Sequence, residues 1–327
     1  MASPDSTGGG GTHFEARVVA YYLAAALSES PARALPGLYA REVVTQRAAF
    51  GEPLDDAVIT GVALDGRTTK LSVQAKSSLS FTENDKEWLA VLKQAWSTFL
   101  SPAFDAELHR LAVAISSYNA RADKYYRSVL TWAAHSPNAG NFFERISRPD
   151  FSHKDQRKFV ETTRKILDGI AGEAVDDDAA WRFLKSFQIL HFDFDLGDAS
   201  RDVEGAIDRL RHGLAPNQRE QAAAIWSGLI AYVGEMTPVG GGATGQSLAA
   251  HLATTGLPSP IAGTHLGDVQ TLDRESKRAL DVIKSDIHGL RLNRTGPYEQ
   301  VQDALATARF VQIDGEPGSG KSALLRQ

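Results

Sequence analysis

Apolar positions between Phe14 and Leu27 recur with a helical period, and Thr12 stands where an N-cap would open a helix running to about Ser28. Three β-like runs follow at residues 42–48, 57–64 and 70–75, the last two separated by Asp65-Gly66-Arg67, a hairpin signal. Trp88, Leu89, Leu92, Trp96 and Phe99 return at helical spacing and predict a helix over about 83–99. The run 108–115, apolar without interruption from Leu111 onward, reads as a strand covered on both faces. The order helix, three strands, helix, strand describes one α/β domain.

From about 120 to 237 the pattern is mainly helical, with segments near 121–135, 153–170, 178–187, 201–213 and 217–235 and a short strand-like run at 189–195. Residues 238–243 and 256–267, rich in Gly and Pro, read as flexible breaks. Helices at about 272–290 and 298–307 complete the pattern, and residues 1–11, small and polar, are expected to be mobile. The chain thus divides into a flexible start (1–11), an α/β core (12–135), a helical extension (136–237), a connector (238–295) and a further domain opening at 296.

Composition narrows the function classes. The 327 residues are 43% apolar and 23% charged, which is globular, and no segment approaches the roughly 18 apolar residues of a membrane span. Without cysteine there is no disulfide, thiolate metal site or cysteine nucleophile, and without a leader at its start a cytoplasmic protein is expected. A net charge of −5 opposes nonspecific nucleic-acid binding, so any such contact needs a local basic surface. Residues 141–167 carry 7 basic and 4 acidic side chains, whereas residues 171–210 carry 4 basic and 10 acidic ones and would repel phosphate.

Near the end, the strand-like residues 310–314 precede Gly315-Glu316-Pro317-Gly318-Ser319-Gly320-Lys321-Ser322, which fits G-x-x-x-x-G-K-[ST] at every fixed position. Backbone N–H groups of such a loop wrap phosphates at a helix N-terminus. Gly315, Gly318 and Gly320 permit the wrap, Lys321 reaches the β and γ phosphates, and Ser322 offers its hydroxyl to Mg²⁺, so ATP with Mg²⁺ is the expected ligand. The motif lies in the last 13 residues, and the rest of a nucleotide-binding domain is expected beyond them.

Upstream, Asp55 and Asp56 open the second strand and Gln74 and Lys76 close the third, with 17 residues between Asp56 and Gln74. Alternation sends Gln74 and Lys76 to one face, and an antiparallel hairpin brings Asp56 beside them. Glu15 shares a helix face with Val18, Val19 and Tyr22 and is expected to point inward. Asp56, Gln74 and Glu15 offer the oxygen donors that Mg²⁺ or Mn²⁺ favours, with Asp55 as a substitute ligand. Lys76 suits orienting water or offsetting transition-state charge on a phosphodiester.

The Asp, hydrophobic strand and Q-x-K pattern resembles the Mrr-type variant of the PD-(D/E)XK, or restriction-endonuclease-like, nucleases. Gln stands for the commoner Glu, and Pro53 precedes Asp56 by three residues. The resemblance implies a mixed sheet flanked by helices, metal ligands at Asp56, Gln74 and Glu15, and a catalytic Lys76. Together with the glycine-rich opening, the long helical extension and the phosphate loop, the arrangement looks like bacterial antiviral STAND NTPases of the Avs type. Its nuclease part also resembles the endonuclease domains of CBASS defence systems. That likeness implies a double-stranded DNA endonuclease effector, activated by homo-oligomerisation to a tetramer when a C-terminal sensor meets a phage protein, and no membrane role.

Other readings stand beside these. The Asp/Gln/Lys set also suits a solvated hairpin edge, and an acid at Glu15 suits a helix dipole. Asn119, Arg121, Lys124, Tyr125 and Arg127 form a basic, aromatic cluster suited to DNA phosphates or to a solvated helix face. Lys154, Arg157, Lys158, Arg164 and Lys165 read as an exposed face, and His191, Asp193 and Asp195 as the polar side of an edge strand backed by Phe192 and Phe194. The whole domain could instead be a non-catalytic DNA-binding or assembly module, or a nuclease acting on RNA.

Overall fold

The computed structural model describes residues 9–260, apart from 32, 36–37, 49–51 and 64–65, and then 272, 274–279, 281, 286–287, 290–291, 295–307 and 312–313. Every residue from Val18 to Leu27 is buried, so this part of the first helix, α1 (Gly9–Leu27), is enclosed on all sides rather than on one face. It begins at Gly9, which places Thr12 inside the helix instead of capping it.

Three antiparallel strands follow, β1 (Leu38–Val44), β2 (Ala57–Ala63) and β3 (Thr68–Lys76), with Ala57 opposite Val73 and a bulge in β1 between Ala40 and Glu42. Asp85 caps α2 (Lys86–Phe99) by accepting from the N–H groups of Glu87 and Trp88. The next strand, β4 (Arg110–Ile115), runs parallel to β3, with Lys76 opposite Ile115. A π-helical turn at Ala122–Tyr126 leads into α3 (Arg127–His135), then α4 (Ala139–Ser147), α5 (Lys154–Ala171) and α6 (Asp177–Ser186). Strand β5 (Phe187–His191) pairs in parallel with β4, and α7 (Arg201–Gly213), α8 (Ala222–Met236), β6 (Gly242–Thr244) and α9 (Gly245–Thr254) complete the unit.

The sheet order is β5-β4-β3-β2-β1-β6, a mixed α/β sheet with helices on both faces. One face, through Val43, Ile59, Val73 and Ala112, shares an apolar cluster with α1, α7, α8 and α9. The other, through Leu111, Val113 and Ile189, packs against α2 to α6. The segment expected as a helical extension therefore supplies an edge strand and covers both faces of the same sheet.

Two local expectations change. The helix α4 was not signalled by periodicity, because only Phe142 and Ile146 of its short span are buried. Residues 242–254, expected within a flexible break and connector, form β6, antiparallel to β1, and a helix capped by Thr244. Their glycines serve close approach: a Cβ on Gly242 would collide with Val44, and one on Gly245 would lie 2.7 Å from the Ala26 carbonyl oxygen.

The chain divides into two units, Met1–Thr264 and His265–Gln327. In the second, the described residues include the antiparallel pair β7 (Asp286–Ile287) and β8 (Leu290–Arg291) and the helix α10 (Thr295–Thr307). Of the helix expected over 272–290, residues 272, 274–279 and 281 are helical, and its end gives way to this pair. Gly315, Gly318, Gly320, Lys321 and Ser322 lie outside the described residues.

Candidate functional site

The antiparallel register of β2 and β3 sets Asp56, one residue before Ala57, across from Gln74. Both side chains are buried, and Gln74 Nε2 donates to Asp56 Oδ2 at 2.5 Å. The Ala75 backbone N–H donates to the same oxygen at 2.7 Å. The other end of the amide is left over: Gln74 Oε1 is buried and accepts no hydrogen bond. An acceptor removed from water without a donor costs about 1–3 kcal/mol, so its place beside a carboxylate demands a reason.

Burial, followed by the charge of Glu15, pushes the Asp56 carboxyl up to about 7, against the smaller opposing effects of the Ala75 N–H and Lys76. Glu15, half-buried in the first half of α1, is also raised, mainly by burial. Its Oε1 accepts from Gln46 Nε2 at 3.4 Å. Asp55 is raised by burial too, although its Oδ2 accepts from the Ala48 N–H at 2.7 Å and its carbonyl from the Gln46 N–H at 2.9 Å. Those bonds direct Asp55 to the loop between β1 and β2 rather than toward Gln74.

A hard cation fits the donor set made by Asp56 and Gln74: a carboxylate that is costly to ionise alone, and an amide oxygen with no other partner. Among the described residues no three His, Asp or Glu side chains gather closely enough to hold a metal by themselves. A Mg²⁺ here would rely on Asp56, Gln74 and retained water, with Glu15 as the nearby second acid, which suits an ion reluctant to shed its hydration.

Lys76, on the same face as Gln74, forms an ion pair with Glu87 of α2, Nζ to Oε2 2.7 Å. Asp85 fixes the first turn that carries Glu87. Because β3 and β4 are parallel, the chain leaving Ile115 emerges beside Lys76, and the Ser117 N–H donates to the Ser77 carbonyl at 2.9 Å. The site thus lies outside the carboxyl ends of parallel strands, where open α/β sheets characteristically bind ligands.

The expected DNA contacts separate. Asn119 is occupied as a cap, accepting from the N–H groups of Arg121 and Ala122 and donating to the Leu79 carbonyl. Arg127 pairs with Asp123 and lines a cavity of about 680 Å³ with Thr68 and Thr69, at the opposite end of β3 from Gln74. Arg121, at the start of the π-helical turn, is exposed and hydrogen-bonds to Tyr126, and Lys124 lies over the Tyr125 ring. Lys158 and Lys165 pair with Glu83. Asp193 accepts from Ser200 and from the Arg201 and Asp202 N–H groups; although burial opposes it, these bonds hold its carboxyl below the usual range. It is a cap at the start of α7, and Phe192 and Phe194 are core.

No protein-family model matches the chain, and no curated protein does. Among solved structures it is similar to the Moraxella osloensis Cap4 SAVED/CARF-domain containing receptor, at 14% identity and a TM-score of 0.38, over 74% of this chain and 47% of that one. It is likewise similar to the Acinetobacter baumannii Cap4 SAVED/CARF-domain containing receptor with the cyclic trinucleotide 2'3'3'-cAAA, at 13% identity and a TM-score of 0.39, over 75% of this chain and 46% of that one. The chain spans about half the length of these receptors. No helix among the described residues is long and apolar enough to cross a membrane.

Proposed function

We propose that the first unit is a restriction-endonuclease-like, Mg²⁺- or Mn²⁺-dependent endonuclease that cuts double-stranded DNA. The observation that carries this reading is the buried, partnerless Gln74 Oε1 beside the Asp56 carboxylate. Bound Mg²⁺ would polarise the scissile phosphate and acidify a coordinated water. The chain's own residues supply the rest. Asp56 and Gln74 hold the oxygen ligands on paired strands, Glu15 adds a second acid from α1, and Lys76 sets a positive charge beside them for a phosphate oxygen. The Lys76–Glu87 pair keeps that ammonium oriented while leaving it partly open to solvent.

The resemblance to Avs-type STAND NTPases supports a role for this nuclease in antiphage defence, as a cytoplasmic effector whose cutting is licensed by homo-oligomerisation. ATP at Lys321 and Ser322, and a phage protein sensed elsewhere in the assembly, are the controls that this reading assigns.

The test is plasmid cleavage by the full chain, alone and with enforced oligomerisation. Mg²⁺ is expected to give cutting that EDTA abolishes and that Lys76→Ala reduces at least about a hundredfold. Intact plasmid from the oligomerised protein would leave a non-catalytic module, RNA cleavage without plasmid cleavage would reassign the substrate, and cutting that survives Lys76→Ala would move the site.

A further inference from the structure

One residue of the site belongs to no motif. Gln46 follows β1, is exposed, and has a backbone φ of 54°, in the left-handed region that non-glycine residues enter only at a cost of about 1–3 kcal/mol. Such strain persists where the surroundings enforce it, and here they do so from three sides. The Gln46 N–H donates to the Asp55 carbonyl at 2.9 Å, immediately before Asp56. Its side-chain amide donates to Glu15. The preceding residue is anchored to the edge strand, with the Thr45 N–H donating to the Gly241 carbonyl at 3.0 Å. The turn before that strand comes close as well: a Cβ on Gly240 would lie 3.5 Å from the Gln46 carbonyl oxygen. The β1–β2 loop and the first half of α1 are distant in sequence, and Gln46 is bonded to both.

We propose that Gln46 is a positioning residue of the metal site: its amide holds Glu15 toward Asp56, and its backbone N–H fixes the loop that presents Asp55 and Asp56. This deepens the metal-dependent nuclease reading and rests on it. The left-handed backbone gives one residue both bonds, and the strain is the cost of that double duty. Glycine adopts this conformation freely and keeps the backbone N–H, so replacing Gln46 by glycine removes the side-chain bond to Glu15 while relieving the strain.

That difference supplies the experiment. Mn²⁺ binding to the full chain is measured by electron paramagnetic resonance without nucleotide, beside thermal melting, for wild type, Gln46→Gly, Gln46→Asn and the control Asp56→Ala. Gln46→Gly is expected to melt no lower than wild type while weakening Mn²⁺ about tenfold or more, the usual range for a lost partner of a metal ligand. Gln46→Asn, which tolerates the left-handed backbone but carries a shorter amide, should fall between them, and Asp56→Ala should abolish binding and leave the free-ion spectrum. Mn²⁺ affinity of Gln46→Gly within twofold of wild type overturns the role of Gln46 alone. Absence of Mn²⁺ binding by wild type, or binding undisturbed by Asp56→Ala, overturns the metal reading and this inference with it. A lower melting temperature in parallel with weaker binding makes Gln46 merely structural.

Discussion

Asp56 is a carboxyl group taken out of water beside a second acid, and that has a consequence for stability. Its value rises from 3.8 to about 7 on folding, so between these pH values the folded protein holds a proton that the unfolded chain has released. The sign follows: the contribution of Asp56 to stability is greatest below about pH 4, falls as pH rises toward 7, and levels off above. Melting temperatures recorded from pH 4 to 8 should show this decline, and Asp56→Asn, which keeps the acceptor for Gln74 and Ala75 but cannot ionise, should flatten it. Saturating Mg²⁺ should restore wild-type stability near pH 7; a slope unchanged by Asp56→Asn would assign it to other groups. Asp56, Gln74 and Lys76 were legible in the sequence because strand alternation and a short hairpin fix their faces within about 20 residues. Gln46 and Glu87 were not. The first is set by a single backbone dihedral, and the second by a helix cap that places its carboxylate on a lysine from another element.

At the scale of elements, the order of the first six was readable because each carries enough residues for its period to show. The pairing of β6 with β1 was hidden: it spans three residues and joins segments about 200 positions apart, beyond what a local pattern encodes. Its Gly-rich sequence looks like a break and is instead a close contact. Gly245→Ala puts a methyl group against the backbone of Ala26, which cannot swing aside as a side chain would. The expected loss is about 1–3 kcal/mol, measured by urea denaturation. The matched control is Gly205→Ala in α7, where a Cβ meets nothing within 4 Å and helix propensity favours a gain of about 0.5–1 kcal/mol. Equal, small effects at both positions would restore the reading of residues 238–295 as a connector.

For the molecule as a whole, the decisive property is that one sheet carries both apolar clusters. Residues Val18–Leu27 of α1 are enclosed on all sides, and the enclosure includes Leu210 of α7, Trp226 and Leu229 of α8, and Leu248 of α9. These residues lie beyond the point where a nuclease core of 12–135 would end. A chain cut after residue 135 would lose β5, β6 and those helices, leaving Val19, Leu23 and Leu27 without part of their cover. At about 25 cal/mol per Å² of exposed apolar surface, uncovering even a few such side chains consumes the 5–15 kcal/mol by which domains are stable. A chain ending at Thr264 retains every one of these contacts. It is expected to unfold in one calorimetric transition, with equal calorimetric and van't Hoff enthalpies, and to bind Mn²⁺ as the full chain does, whereas the chain ending at 135 shows neither behaviour. Two separable transitions in the longer fragment would make residues 136–237 a unit that folds apart from the core. Cooperative melting of the shorter one would show that the sheet does not need its outer strands.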